Sequence, residues 1–243
     1  MTNPEFSNEF DILYNNITSN QAPGLDDYEK SVFLTKAQED IVLAYYTGKN
    51  ESGDYFEGSE EVRQYLYTLI QDIEPDRLQD VEDYGISNNS KFFQVKDIDY
   101  LYILSEYVQV KVDENTTRKV KVIPVTADEF LRIESNPFRG PSKSRVLRLD
   151  VSIPFKKGRI HELITTETID AYRARVLLKP TPIVIGRTKR IINDEKEYYL
   201  PQGLSINGVD KNTECSLPES LHRKILDRAV LLAKASFASN PGQ

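Results

Sequence analysis

One cysteine, one methionine, two histidines and no tryptophan occur in 243 residues. The lone Cys215 excludes an intrachain disulfide and fits a protein that matures in a reducing compartment. His161, in a candidate strand, and His222, in a candidate helix, have no HxH, HExxH or paired-cysteine setting. Neither is expected to bind metal, and each is expected to be an ordinary surface or boundary residue. GxGxxG, Walker A and nucleophile-elbow patterns are missing, and Cys215 has no neighbouring base to activate it. No apolar run approaches the roughly twenty residues of a membrane span. Residues 1–10 are polar and acidic and do not read as a secretion signal. The expectation is a soluble, unexported protein with no cofactor, no metal and no catalytic residue.

What is present is acidic and aromatic. Thirty-one Lys and Arg face 38 Asp and Glu, for a net charge of −7. That balance argues against a protein whose main work is to grip phosphates. Fourteen tyrosines and ten phenylalanines suit interfaces as well as cores. One dense run, Asp72, Glu74, Asp76, Asp80, Glu82 and Asp83, suggests a metal-dependent nuclease when set beside the distant Asp194-Glu195-Lys196. A run this dense reads more simply as a solvated face.

Along the chain, residues 3–16 place Phe6, Phe10, Leu13 and Tyr14 at helical spacing, with Ile17 next in line. Residues 19–24 read as a loop and 25–31 as a single helical turn. Thr35-Lys36-Ala37-Gln38 matches a capping box, predicting a helix from Thr35 to Gly48. A third helix opens at Gly58 or Ser59, carries Val62, Leu66, Leu69, Ile70 and Ile73, and stops at Pro75. From Phe92 the period changes to two, predicting strands over 92–98, 100–112, 118–125, 145–153, 161–165, 171–178 and 183–185, with a turn at 113–116. Residues 186–212 read as loop, with one hairpin pairing 198–200 with 204–206. Pro218 opens the last helix, which ends at Asn240-Pro241-Gly242.

This pattern predicts an α+β fold: a helical bundle formed by the N-terminal helices and the C-terminal helix, with an inserted antiparallel β-sandwich or barrel. The divisions expected are 1–90 for the N-terminal helical region, 91–212 for the β domain, and 213–243 for the returning helix and tail.

Two stretches carry candidate contact residues. Residues 119–149 combine a strand, a short helix begun at Thr126, the corner Asn136-Pro137-Phe138-Arg139-Gly140-Pro141, and a second strand. The prolines fix the corner and Phe138 is expected to bury its ring. Arg139, Arg145 and Arg148 read either as a solvated strand face or as a subunit contact for a neighbour's carboxylates. On the last helix Ile225, Ala229 and Leu232 suit the chain's own bundle. Leu226, Val230, Ala233 and Phe237 form an adjoining stripe, expected to stay wet in a single chain and to need a partner.

Six segments together carry a family resemblance: FSNEFDILYNNITSNQAPGLDDYEKSVFLTKAQEDIV near the start, VIPVTADEF, then NPFRGP with RVLRLD, YRARVLLKPTPIVI, and CSLPESLHRKILDRAVLLAKASF. The chain resembles the head-to-tail connector proteins of tailed bacteriophages, most closely a ring or portal adaptor protein of crAss-like phages. The resemblance implies a virion structural protein at the neck or tail, assembled in the host cytoplasm. It implies a twelve-fold ring with itself as partner, the portal and other tail or neck ring proteins as neighbours, and a continued channel that DNA crosses without specific binding. A DNA-processing or packaging accessory is the alternative, and would need clustered basic residues instead.

Overall fold

The computed structural model describes residues 1–15, 24–50, 52–113, 116–192 and 195–239. In chain order these form helices α1 (Asn3–Asn15), α2 (Asp27–Thr47) and α3 (Glu60–Leu66), then strands β1 (Ile70–Ile73), β2 (Asp76–Leu78), β3 (Ser90–Val95), β4 (Tyr100–Asp113) and β5 (Thr116–Pro124). Helix α4 (Ala127–Ile133), strands β6 (Val146–Val151), β7 (Arg159–Ile164), β8 (Ile169–Leu178), β9 (Thr188–Ile192) and β10 (Glu195–Tyr199), and helix α5 (Glu219–Ser239) follow. The fold is thus mixed α+β. The chain divides into two units, one of Met1–Leu69 with Lys179–Gln243 and one of Ile70–Leu178.

In the first unit α1 buries Phe6, Phe10 and Tyr14, the stripe that helical spacing predicts. Helix α2 starts eight residues before the expected Thr35, because a stronger cap lies upstream. Asp26 Oδ1 accepts the Glu29 amide at 2.7 Å, and Glu29 Oε2 accepts the Asp26 amide at 2.9 Å, which closes a reciprocal capping box. Thr35 therefore sits inside the helix, where its hydroxyl accepts from Ile183 N at 3.1 Å. Ser31 accepts from Ile185 N at 2.8 Å, and Gln38 Nε2 donates to Thr181 O at 2.7 Å. These three residues lie on one face of α2. They hold residues 181–185 in place of a ladder, so the strand expected at 183–185 is an extended segment with one bridge, Val184 to Thr213. Gly48 ends α2 at φ +74°, a left-handed position that glycine takes without strain. Strand β9 pairs with β10, so Tyr198 pairs upstream with Lys189 and not with the 204–206 segment.

In the second unit the expected helix through Ile73 ends after one 3-10 turn, and Ile70–Ile73 joins β8 as an edge strand. The local spacing of Leu66, Leu69, Ile70 and Ile73 satisfies a helix; a tertiary strand partner overrides it. The eight strands make one sheet, in the order β1-β8-β4-β5-β6-β7-β3-β2, so of the two expected forms, sandwich or barrel, the two facing sheets of a sandwich do not form. One pair, β5 with β6, is parallel, so the sheet is not wholly antiparallel. A parallel neighbour requires a crossover, and α4 with the 134–145 corner supplies it.

The edge strands β1 and β2 are joined only by Glu74 and Pro75. Eight strands at about 4.8 Å spacing would put the edges of a flat sheet about 34 Å apart, whereas three Cα steps span at most about 11 Å. The sheet must therefore curl until its edges approach, and it stays open because no ladder joins β1 to β2 among the described residues. Val108, Val110, Val122, Val146, Leu163 and Tyr172 fill its inner face. Phe130 and Ile133 of α4 cover Leu147, Leu149 and Ile164 on the outer face.

Candidate assembly surfaces

Period-two alternation sends five polar side chains to the inner face of the curled sheet. They are Tyr100 and Glu106 on β4, Arg148 on β6, His161 on β7 and Tyr172 on β8, all buried. Arg148 Nε donates to Glu106 Oε1 at 3.0 Å, and a second guanidinium nitrogen donates to Asp150. Tyr172 donates to Glu106 Oε2 at 2.6 Å. Its hydroxyl oxygen is then the acceptor for His161 Nδ1, 3.0 Å away, and His161 Nε2 accepts from the Tyr100 hydroxyl at 2.8 Å. The network thus selects the neutral Nδ1–H imidazole.

Burial, with the Arg148 and Arg159 charges, holds the His161 pKa down to about 4. Burial pushes the Glu106 carboxyl up against the opposing pull of Arg148, and pushes Tyr172 up as well. Both Glu106 oxygens and both His161 ring nitrogens are thereby engaged inside the network. A cleft of about 520 Å³ beside it has Tyr100, Tyr102, Arg148, Asp150 and Arg159 in its walls.

The expectation of a surface or boundary histidine at 161 is therefore corrected: it is central to a buried network. Arg148 likewise does not project from the sheet. Its neighbours Leu147 and Leu149 face α4, which turns Arg148 to the interior. His222 is buried too, its Nε2 donating to Leu217 O at 2.9 Å.

The other candidates resolve differently. The acidic run lies on a solvated face, four of its exposed carboxylates paired there with surface cations: Asp72 with Arg175, Glu74 with Arg173, Asp76 with Lys96 and Asp80 with Lys156. No group of three or more metal-ligating side chains occurs among the described residues. Asp194, part of the nuclease pattern, lies outside them, as do residues 16–23, which include Ile17 and 19–23 of the first loop, Glu114 and Asn115 of the 113–116 turn, and residues 240–243. Cys215 is half-buried, its thiol pushed up to about 11 by burial, and it donates to Gln38 Oε1 at 3.1 Å.

On α5, Leu226, Val230 and Ala233 are buried within their own unit. The stripe expected to be wet is covered because α5 meets two helices. Arg223 pairs with Glu9 and Lys234 donates to Leu13 O at 2.9 Å, both on α1, while Lys224 and Arg228 reach Tyr45 and Asp40 on α2. Of the four stripe residues, Phe237, 39% exposed, stays partly open.

At the 136–141 corner Asn136 Oδ1 accepts the amides of Phe138 at 2.9 Å and Arg139 at 3.2 Å. A Cβ on Gly140 would meet three carbonyl oxygens between 2.7 and 2.8 Å away, so the corner closes only around glycine. The expected burial of Phe138 does not occur: the ring is 83% exposed on this rigid turn. Arg139 is exposed, and Arg145 donates to Gly140 O at 3.2 Å.

The polar groups described above hold the sheet, the helices and the corner in place. The chain belongs to the phage tail ring protein 3/4 family, whose model matches residues 1–243. Ring protein 3 of Bacteroides phage crAss001 is 39% identical over 237 residues, covering 96% of this chain and 95% of that protein. Ring protein 4/5 of the same phage is 35% identical over 244 aligned positions, covering 96% and 92%. The role is that of a virion ring component and not of an enzyme, as the resemblance implies. No helix of the described residues is long and apolar enough to cross a membrane.

Proposed function

We propose that this chain forms a ring, twelve-fold in the likeness of phage connectors, that joins the portal to the tail and continues the DNA channel. The observation that carries the proposal is the family match over the whole chain. The charge balance supports a conduit: the net charge is −7, and four of the cations, Lys96, Lys111, Arg173 and Arg175, are occupied by carboxylates of their own unit. A channel through which duplex DNA slides is served by such a surface, because phosphate-gripping cations would hold the DNA by counterion release.

Co-assembly tests it. Purified chain mixed with recombinant portal is expected to give a discrete ring-bearing complex by mass photometry, and duplex DNA is expected to bind only at non-specific levels of about 10⁻⁴ M at physiological salt. Salt-steep micromolar binding to duplex DNA, or Mg²⁺-dependent cleavage lost in Asp76→Ala, favours the DNA-processing alternative.

A further inference from the structure

The stretch from Arg118 to Arg145 reverses the charge of the chain around it, with seven Lys or Arg against three Asp or Glu. Elsewhere in its unit Lys96, Lys111, Lys156, Arg173 and Arg175 each have a carboxylate partner. Among the described residues no carboxylate pairs with Arg118, Lys119, Lys121, Arg132, Arg139 or Lys143, and all six are exposed. Apolar side chains are interleaved with them: Phe138, Leu131 and Ile123 are all exposed. The surface is stiff, since α4 is anchored by Phe130 and Ile133 and the corner by Asn136. Arg118 donates to the Lys143 carbonyl and so ties β5 to the corner.

The complement lies in the other unit. Residues 1–69 hold thirteen Asp or Glu against four Lys or Arg. Most of those carboxylates are engaged, for example Asp11 with Lys30, Asp27 with Arg187 and Asp40 with Arg228. The carboxylates of Asp54, Glu57 and Glu60 are exposed with no cation paired to them among the described residues, Arg63 donating to the Glu57 backbone carbonyl at 3.0 Å, and Tyr55 within this stretch is an exposed ring.

We propose that the cationic, Phe138-bearing surface of residues 118–145 docks on the acidic, tyrosine-bearing stretch 54–61 of the next copy of this chain. The inference rests on the ring reading and names the contact that would build the ring. Two different patches can make a head-to-tail contact, which generates a ring where the rotation between successive copies closes. Unpaired charge on both sides supplies steering and register. A preorganised exposed aromatic suits a contact centre, because little freedom is lost when it is covered. Duplex phosphates would satisfy the cations but leave Phe138, Leu131 and Ile123 without an apolar partner.

Charge reversal tests this on the full chain by sedimentation velocity, alone and with portal, with circular dichroism to confirm folding. One variant carries Arg139→Glu and Lys143→Glu; the other carries Glu57→Lys and Glu60→Lys. Each alone is expected to weaken self-association at least tenfold, and an equimolar mixture of the two is expected to restore it, since reversed and native patches then alternate in complementary pairs. If wild type associates and both variants associate equally well, the docking inference is overturned and the ring reading stands. If wild type remains monomeric even with portal, the ring reading fails and the inference with it. If the first variant loses retention of duplex DNA while its association is unchanged, the cations serve nucleic acid and the inference is wrong.

Discussion

Arg148 on β6 reaches over β5 to donate to Glu106 on β4 at 3.0 Å, with the two side chains 8% and 5% exposed. Removing one partner of such a pair leaves an uncompensated buried charge and costs about 3 to 5 kcal/mol. Arg148→Met is expected to lose that much stability in urea titrations, and adding Glu106→Leu is expected to recover a large part of it. Arg139→Ala, on the exposed corner, should change stability by less than about 0.5 kcal/mol.

Acid should loosen the same interior. His161 is neutral in the fold with its pKa near about 4, against about 6.5 when exposed. Between those values the unfolded chain binds the extra proton, so the His161 contribution is complete above pH 6.5 and is lost as pH falls from 6.5 toward 4. At 1.36 kcal/mol per unit this amounts to about 3 kcal/mol. Glu106, raised by burial, acts with the opposite sign, since its protonation favours the fold. A His161→Gln variant is expected to show a flatter decline of stability across that window; an unchanged slope contradicts the assignment.

Phe155 occupies φ +72° and is 97% exposed. An aromatic gains nothing there from burial and is held in a conformation that asparagine tolerates better. Phe155→Asn is expected to raise stability by about 0.5 to 1 kcal/mol, read as a higher thermal midpoint of the isolated chain. A lower midpoint would show that the ring makes contacts the fold depends on.

Helix α5 gives a paired contrast. Leu226→Ala should cost about 2 to 5 kcal/mol because the side chain is fully buried between helices. Phe237→Ser, at a position that stays 39% exposed, should cost less than Leu226→Ala, about 1 kcal/mol. Urea unfolding followed by circular dichroism separates the two.

Much of this was legible residue by residue. Phe6, Phe10 and Tyr14 announced α1, the alternation of β4 and β8 announced the strands, and the six quoted segments announced the ring family. What stayed hidden depended on neighbours distant in sequence. The Asp26 box outcompeted Thr35, whose hydroxyl was needed by Ile183. Nothing local shows that α4 covers Leu147 and Leu149, and so nothing local shows that Arg148 turns inward. A signal was available for the network: Glu106 shares its face with Val108 and Val110, and Tyr172 shares its face with Ala174 and Val176. A charge at an inward position of a strand requires a buried partner. The stripe of Leu226, Val230 and Ala233 was misread for want of α1, whose docking on the flank of α5 cannot be seen from α5 alone. The exposed Phe138 departs from local expectation in the opposite direction, toward a surface that meets something else.

The most direct measurement is a cryo-EM reconstruction of the virion neck with this chain located by its own density. The ring account predicts a closed, twelve-fold ring of this chain, coaxial with the portal and threaded by DNA, with the 118–145 surface of each copy against the 54–61 stretch of the next. A neck that lacks the chain, or holds it in isolated copies away from the channel axis, would contradict it.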